Sequence, residues 1–195
     1  MSVRPRLKFL IESPVQVGDR VLLRYPEAVD QDEFLRLRKV SQSFHKPWEP
    51  TPIAGVDPYS ADTFRNYLKG KRKDNRERLL VCRTDDGAIV GAFNLSEIVR
   101  GPLQSAYLGY WVGAPFQRRG YMTDGIQLLL AHAFGAVGLH RIEANIRPEN
   151  IASLALVQRA GFSKEGYSPR YLKIDGDWRD HERWAILHED WHPRI

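Results

Sequence analysis

The chain has 195 residues, 43% of them hydrophobic and 27% charged, which is apolar enough for one folded core and argues against disorder. Lys plus Arg number 29 against 24 for Asp plus Glu, a formal net charge of +5 that suits a polyanionic partner. A single cysteine, Cys82, excludes an internal disulfide or a thiolate metal cluster. Arg4, Arg6 and Lys8 precede only Phe9-Leu10-Ile11, too short for a signal-peptide core or a membrane span, so the expected location is the cytoplasm, with no membrane association.

One domain is expected over residues 1–195, with 1–18 a less ordered arm. Val21 to Tyr25 reads as a strand, and Pro26 starts a helix whose apolar positions include Phe34, Leu35 and Leu37. Between His45 and Pro58 four prolines, Trp48 and Gly55 dictate an irregular loop, and a second helix is expected over Ala61 to Lys69. The densest basic run, Lys69 to Arg78, reads as a solvated helix end and loop, with contact to ribosomal RNA as the functional alternative.

Arg78 to Thr84 and Ala88 to Val99, joined by Asp85-Asp86-Gly87, form a hairpin in which Cys82 is a core residue. Ala106 to Val112 is the next strand, and Met122 to Val137 a helix with Met122, Ile126, Leu129, Leu130, Ala133, Phe134 and Val137 on one face. His140 to Ile146 is a strand, and Asn150 caps a helix that ends at Gly161. Strands near Gly166 to Ile174 and Asp180 to Leu187 flank an Asp175-Gly176-Asp177 turn. The sum is an α/β domain with helices inserted among hairpins.

Chemistry concentrates between the strand ending at Val112 and the helix opening at Met122. A glycine-bearing turn at a helix N-terminus is an anion site, since the first N–H groups have no internal partners and the dipole favours negative charge. Arg118 and Arg119 add charge, and Gly120 lets the backbone approach closely. Neither the G-x-x-x-x-G-K-[ST] of a P-loop nor the G-x-G-x-x-G of a dinucleotide fold is present.

The segment Gln117-Arg118-Arg119-Gly120-Tyr121-Met122 resembles the Q/R-x-x-G-x-G/A pyrophosphate loop of the GCN5-related N-acetyltransferases, the GNAT superfamily; Met122 departs from the small residue usual there. Asn150-Ile151-Ala152-Ser153 followed by Ala160-Gly161-Phe162 is similar to the N-x-x-S…GF segment of the same superfamily. Over nearly the whole chain the resemblance narrows to the RimJ/RimL group of ribosomal-protein N-terminal acetyltransferases, and to its alanine-directed RimJ type. Its carriers include Lys46-Pro47-Trp48-Glu49-Pro50, Tyr107-Leu108-Gly109-Tyr110, Gly161-Phe162-Ser163-Lys164-Glu165-Gly166-Tyr167 and Ile174-Asp175-Gly176-Asp177-Trp178.

The resemblance implies a GNAT fold, a mixed sheet of about seven strands whose central strands splay. It implies acetyl-CoA as co-substrate, with the Trp111 and Val112 backbone on pantetheine and the thioester. Gln117, Arg118, Arg119, Gly120, Tyr121, Met122 and Thr123 would hold the diphosphate, and Asn150 would touch the cofactor besides capping its helix. Ser153 looks like the serine that protonates the leaving thiolate, and Glu165, ahead of Glu97 and Glu143, resembles the residue that deprotonates the amine. Trp48, Glu97 and Asp175 are candidates for the acceptor pocket. No histidines pair at metal-ligand spacing, so no metal is expected.

The implied activity is direct transfer of an acetyl group to a protein N-terminal α-amine, by resemblance that of a ribosomal protein beginning with Ala or Ser. The partners would be acetyl-CoA and that N-terminus, the enzyme a monomer or homodimer. Two alternatives stay open: a small-molecule amine acetyltransferase acting on a polyamine, amino acid or antibiotic, and a ribosome-assembly binding factor with secondary catalysis.

Overall fold

The computed structural model describes residues 13–52 and 54–192. Most of the arm expected over 1–18 lies outside them, but Gln16–Val17 (β1) pairs with Val21–Arg24 (β2) and so joins the sheet. The remaining strands are Arg72–Lys73 (β3), Arg76–Arg83 (β4), Ile89–Val99 (β5), Ser105–Val112 (β6), Arg141–Ile146 (β7), Ser163–Ile174 (β8) and Asp177–Leu187 (β9). The helices are Gln31–Val40 (α1), Gln42–His45 (α2), Ala61–Lys69 (α3), Tyr121–Phe134 (α4) and Ile151–Ala160 (α5).

Among the described residues the strands make one nine-stranded sheet in the order β1-β2-β4-β5-β6-β7-β9-β8, with β3 off this path on β4. The seven expected strands are the long ones, and the two additions are two-residue pieces too short to show a period. β3 corrects the reading of the basic run, which folds as a tight hairpin with Arg72 opposite Glu77 and Lys73 opposite Arg76.

The first helix starts later than Pro26. The Arg24 guanidinium forks onto Asp30 at 2.6 and 2.7 Å, and Asp30 Oδ2 accepts from the Glu27 amide at 2.8 Å, so 28–30 is a 3-10 turn and α1 begins at Gln31. That buried fork hangs α1 on β2.

Two cores cover the two faces. On one, α4 and α5 bury Ile126, Leu129, Leu130, Ala133 and Val157 against Phe93, Leu108, Ile142 and Ala144. On the other, Phe34, Leu37 and Phe64 of α1 and α3 pack on Leu22, Leu80, Cys82 and Ala92. Cys82 is fully buried, and burial pushes its thiol up to about 12. No helix among the described residues is long and apolar enough to cross a membrane.

The decisive irregularity is central. β6 and β7 run parallel but pair only through Ser105–Arg141, Ala106–Ile142 and Tyr107–Glu143. Beyond Tyr107 and Glu143 the two strands part, leaving an opening between Leu108 to Val112 and Ala144 to Ile146.

Candidate active site

The backbone facing this opening follows from the β5–β6 register. Gly113 donates to the Val90 carbonyl at 2.8 Å, and Trp111 pairs with Ala92, so the odd residues of β6 spend their backbone groups on β5. A Cβ on Gly91 would lie 2.3 Å from the Trp111 carbonyl, which is therefore turned away from the opening. By alternation Leu108 and Tyr110 present N–H and C=O groups to the gap, and Val112 its N–H, its carbonyl being taken by His45. The Trp111 backbone, expected on pantetheine, is thus occupied by β5, whereas the Tyr110 backbone and the Val112 N–H are turned to the opening.

The wall above the end of β6 is pinned by α1 and α2. His45, 5% exposed, donates through Nε2 to the Val112 carbonyl at 2.7 Å, while its Nδ1 accepts from Arg38 at 2.9 Å. Both contacts fit the neutral Nε2–H tautomer, and burial lowers its pKa in the same sense. Arg38 forks onto Glu49 and lies 5.0 Å over the Trp111 ring, whose other neighbours are Phe34 and His45. Ser41 Oγ accepts from the Ala114 amide at 2.8 Å.

The loop after β6 is the one expected to bind an anion. Arg118 sits at φ +59° and Gly120 at φ +81°, a left-handed pair that turns the chain into α4. The Thr123 and Asp124 amides return to the Gly120 carbonyl, which leaves those of Tyr121 and Met122 at the open helix start. Gln117, Arg118 and Arg119 are exposed, and among the described residues neither arginine pairs with a carboxylate. Arg20 braces the loop from β2's entry, with Nε on Asp124 at 2.7 Å and a terminal nitrogen on the Arg119 carbonyl at 3.2 Å.

Met122, the departure from the family pattern, points inward. It is 9% exposed and its sulfur packs where Gly91 has no side chain, 3.1 Å from the Cβ that an alanine there would carry. The bulky residue leaves the loop clear and loads the core instead.

At the start of α5 the Asn150 side chain accepts from the Ser153 amide at 3.1 Å, so Asn150 is an N-cap, its amide nitrogen remaining available. The Tyr110 hydroxyl crosses the opening to the Ser153 carbonyl at 3.3 Å. Burial raises the Tyr110 pKa, so this phenol stays protonated on the Ser153 carbonyl. Loop, α4 start and α5 start therefore line one face of the gap, with two helix N-termini and two unpaired arginines, a charge pattern that fits a diphosphate ester.

The opposite face is the acceptor side. Gly109 points there with no atom within 4 Å of the Cβ it lacks, between Tyr107 and Trp111 on its own strand. The irregular segment after α2 arches over this face: Arg147 donates to the Pro47 carbonyl at 2.7 Å and lies 5.4 Å from the Trp48 ring. Pro50 bridges Ile174, and the Thr51 hydroxyl accepts from the Gly176 amide at 3.0 Å. Trp48 and Asp175 are thus brought to one rim, but Asp175 lies at φ +50° in a turn and pairs with Lys46 at 3.5 Å.

Neither carboxylate expected as base stands free at the opening. Glu165 is locked in a two-pronged pair with Arg141, which also holds Glu143 at 2.9 Å, and that guanidinium keeps the Glu165 carboxyl below its usual range. Arg141 is paired with Ser105 at the closed end of β6–β7, so the ion pair holds Glu165 toward that end. Glu97, at φ +49° in a β5 bulge between Ser96 and Val99, is exposed beside that same closed end.

Sequence reasoning missed Arg20, His45 and the Tyr110 side chain. Arg20 and His45 lie 104 and 67 residues from their partners Asp124 and Val112, beyond any local signal. Tyr110 could have been found from the alternation that sets it on the face opposite Trp111.

A GNAT acetyltransferase domain model matches residues 20–163. The chain is 41% identical over 177 residues to the [ribosomal protein uS5]-alanine N-acetyltransferase of Escherichia coli, covering 90% of this chain and 91% of that protein. It is 32% identical over 177 residues to the probable N-acetyltransferase YjcK of Bacillus subtilis, covering 89% and 97%. The structure of Mycobacterium smegmatis RimJ in complex with CoA-disulfide superposes with a TM-score of 0.80 at 35% identity, over 90% of this chain and 84% of that one. A parted central strand pair facing two helix N-termini, together with likeness over nine-tenths of the chain, establishes that it belongs to the GNAT acetyltransferase family, RimJ/RimL type, as an acetyl-CoA-dependent N-acetyltransferase.

Proposed function

We propose that this enzyme acetylates the N-terminal α-amine of a protein, a ribosomal one beginning with Ala or Ser, by direct transfer in a ternary complex. The observation that carries this reading is the charge state of the acceptor rim: Glu49, Asp175 and Glu149, beside the Trp48 segment, each pair with an arginine or lysine. A polyamine acceptor asks for free carboxylates to hold its second and third charges, whereas a peptide brings one amine and a row of amides. The kinship with an enzyme named for alanine on a ribosomal protein supports the same acceptor.

When bound, acetyl-CoA supplies an already activated acyl group, so the chain's part is placement. Arg118, Arg119 and the first amides of α4 hold the diphosphate, braced by Arg20. The gap-facing N–H groups of Tyr110 and Val112 serve the pantetheine arm and the thioester oxygen, where negative charge develops. Ser153, whose carbonyl the Tyr110 phenol binds, protonates the leaving thiolate and takes a proton back from water. An α-amine of pKa ~8 is partly neutral at physiological pH and attacks in that form; the proton its nitrogen sheds on acylation passes to water, while Glu165 holds Arg141.

Incubation with acetyl-CoA and a panel of N-terminal peptides against spermidine, free amino acids and aminoglycosides tests the reading. Intact mass should rise by one acetyl group on Ala- and Ser-initiated peptides; acetylation confined to the free amines would overturn it.

A further inference from the structure

We infer that Asn94 and Asn145, on either side of the vacant Gly109 position, grip the first residue of the acceptor: Asn145 Oδ1 accepts from the amine, and Asn94 Nδ2 donates to the first peptide carbonyl. This rests on the peptide reading above and names the residues that enforce it.

Asn94 is the β5 partner of Gly109, so the two share a face. On the other side, the parallel register of Tyr107 with Glu143, continued by two residues, sets Asn145 across the opening from Gly109. Gly109 leaves its own side-chain space empty. The acceptor amine must come through that space to reach a thioester held in the gap, so both carboxamides flank its path.

Each carboxamide already has one end tied, and opposite ends at that. The Tyr67 hydroxyl donates to Asn94 Oδ1 at 2.9 Å, which fixes the amide and leaves its N–H groups as donors. Tyr67 is itself held by a guanidinium, Arg78 at 4.5 Å, and a ring, Phe34 at 4.9 Å. Asn145 Nδ2 donates to the Tyr171 hydroxyl at 3.4 Å, which leaves its oxygen as an acceptor. One donor and one acceptor, both neutral, match an α-amino amide, which offers amine hydrogens and a carbonyl oxygen. A polyamine has no carbonyl, and would leave the Asn94 donor unpaired in a closed complex.

The test uses the full-length enzyme with an Ala-initiated peptide and its analogue in which the first amide is replaced by an (E)-alkene, removing the carbonyl but keeping the amine. Wild type should favour the amide peptide by roughly 10-fold or more in kcat/KM. Asn94→Asp, which keeps the oxygen that Tyr67 binds but loses the N–H groups, should lose that preference. Asn145→Ala should raise KM for both peptides alike, with the acetyl-CoA dissociation constant unchanged in both variants. Preference retained in Asn94→Asp, or an unchanged peptide KM in Asn145→Ala, overturns the assignment while the peptide reading stands. A wild-type enzyme that acetylates spermidine but neither peptide overturns that reading and the assignment together.

Discussion

His45 Nε2 donates to the carbonyl of Val112 at 2.7 Å, tying α2 to the end of β6 at the mouth of the opening. Because Arg38 occupies Nδ1, a second proton has no place, and the fold selects the neutral ring. Its folded pKa lies below the ordinary value of about 6.5, so the unfolded chain takes up the proton first as pH falls. Stability should therefore be level above pH ~6.5 and decline below it until the lowered folded pKa is reached. Melting temperatures from pH 8 to 5 should show this fall, and His45→Gln, which retains an N–H donor without titrating, should flatten it. His45→Ala should cost about 3 kcal/mol by chemical denaturation, from a lost buried hydrogen bond and a cavity.

Arg20 holds the Arg119 carbonyl and Asp124 from outside the loop. Removing it leaves Arg118 and Arg119 charged but their backbone unbraced. Arg20→Ala should raise the acetyl-CoA dissociation constant about 5- to 10-fold in calorimetry, the cost of one or two charge-assisted hydrogen bonds, with kcat changed less than twofold. An affinity equal to wild type would show that the loop holds its shape unaided.

Ser153→Ala should lower kcat by about 100-fold at neutral pH, with acetyl-CoA affinity kept, because the Asn150 cap bonds the Ser153 amide and not its hydroxyl. Tyr110→Phe should give a smaller loss. Stopped-flow release of the thiol would read both.

Glu165→Gln should be a stability variant. Its carboxyl titrates below the ordinary value in the fold, so the pair with Arg141 stabilises at pH 7, and that stability is lost as pH falls from ~4.3 through the lower folded pKa. Solvent reaches the pair, so the neutral variant should lose about 1 kcal/mol at pH 7, converging with wild type in acid. A 100-fold loss of kcat would instead restore Glu165 as the base.

Gly91 faces both the Trp111 carbonyl and the Met122 sulfur. Gly91→Ala drives a Cβ to 2.3 Å from the Trp111 carbonyl and 3.1 Å from the Met122 sulfur, and backbone cannot yield as a side chain does. It should destabilise by about 3 kcal/mol, and Met122→Ala should not rescue it, since the closer clash is with the carbonyl. Met122→Ala alone should cost about 2 kcal/mol and leave acetyl-CoA affinity unchanged.

The sequence by itself determined the long elements and the donor side. Met122, Ile126, Leu129 and Leu130 at helical spacing build α4, Gly161 at φ +99° ends α5, and the arginines and glycine of 117–120 declare an anion loop whatever surrounds them. These are local signals, written within a turn or two of chain. Tertiary structure decided the rest. Arg20 reaches Asp124, His45 reaches Val112, and Glu165 is spent on Arg141 only because the sheet order brings distant strands together. The sequence offered Glu165 as a base and Met122 as a departure in the loop; the fold sets Glu165 in an ion pair with Arg141 and packs Met122 against Gly91 on a neighbouring strand. The opening at Gly109 has the same origin, since whether two parallel strands stay paired depends on what each packs against and on no residue of either strand alone.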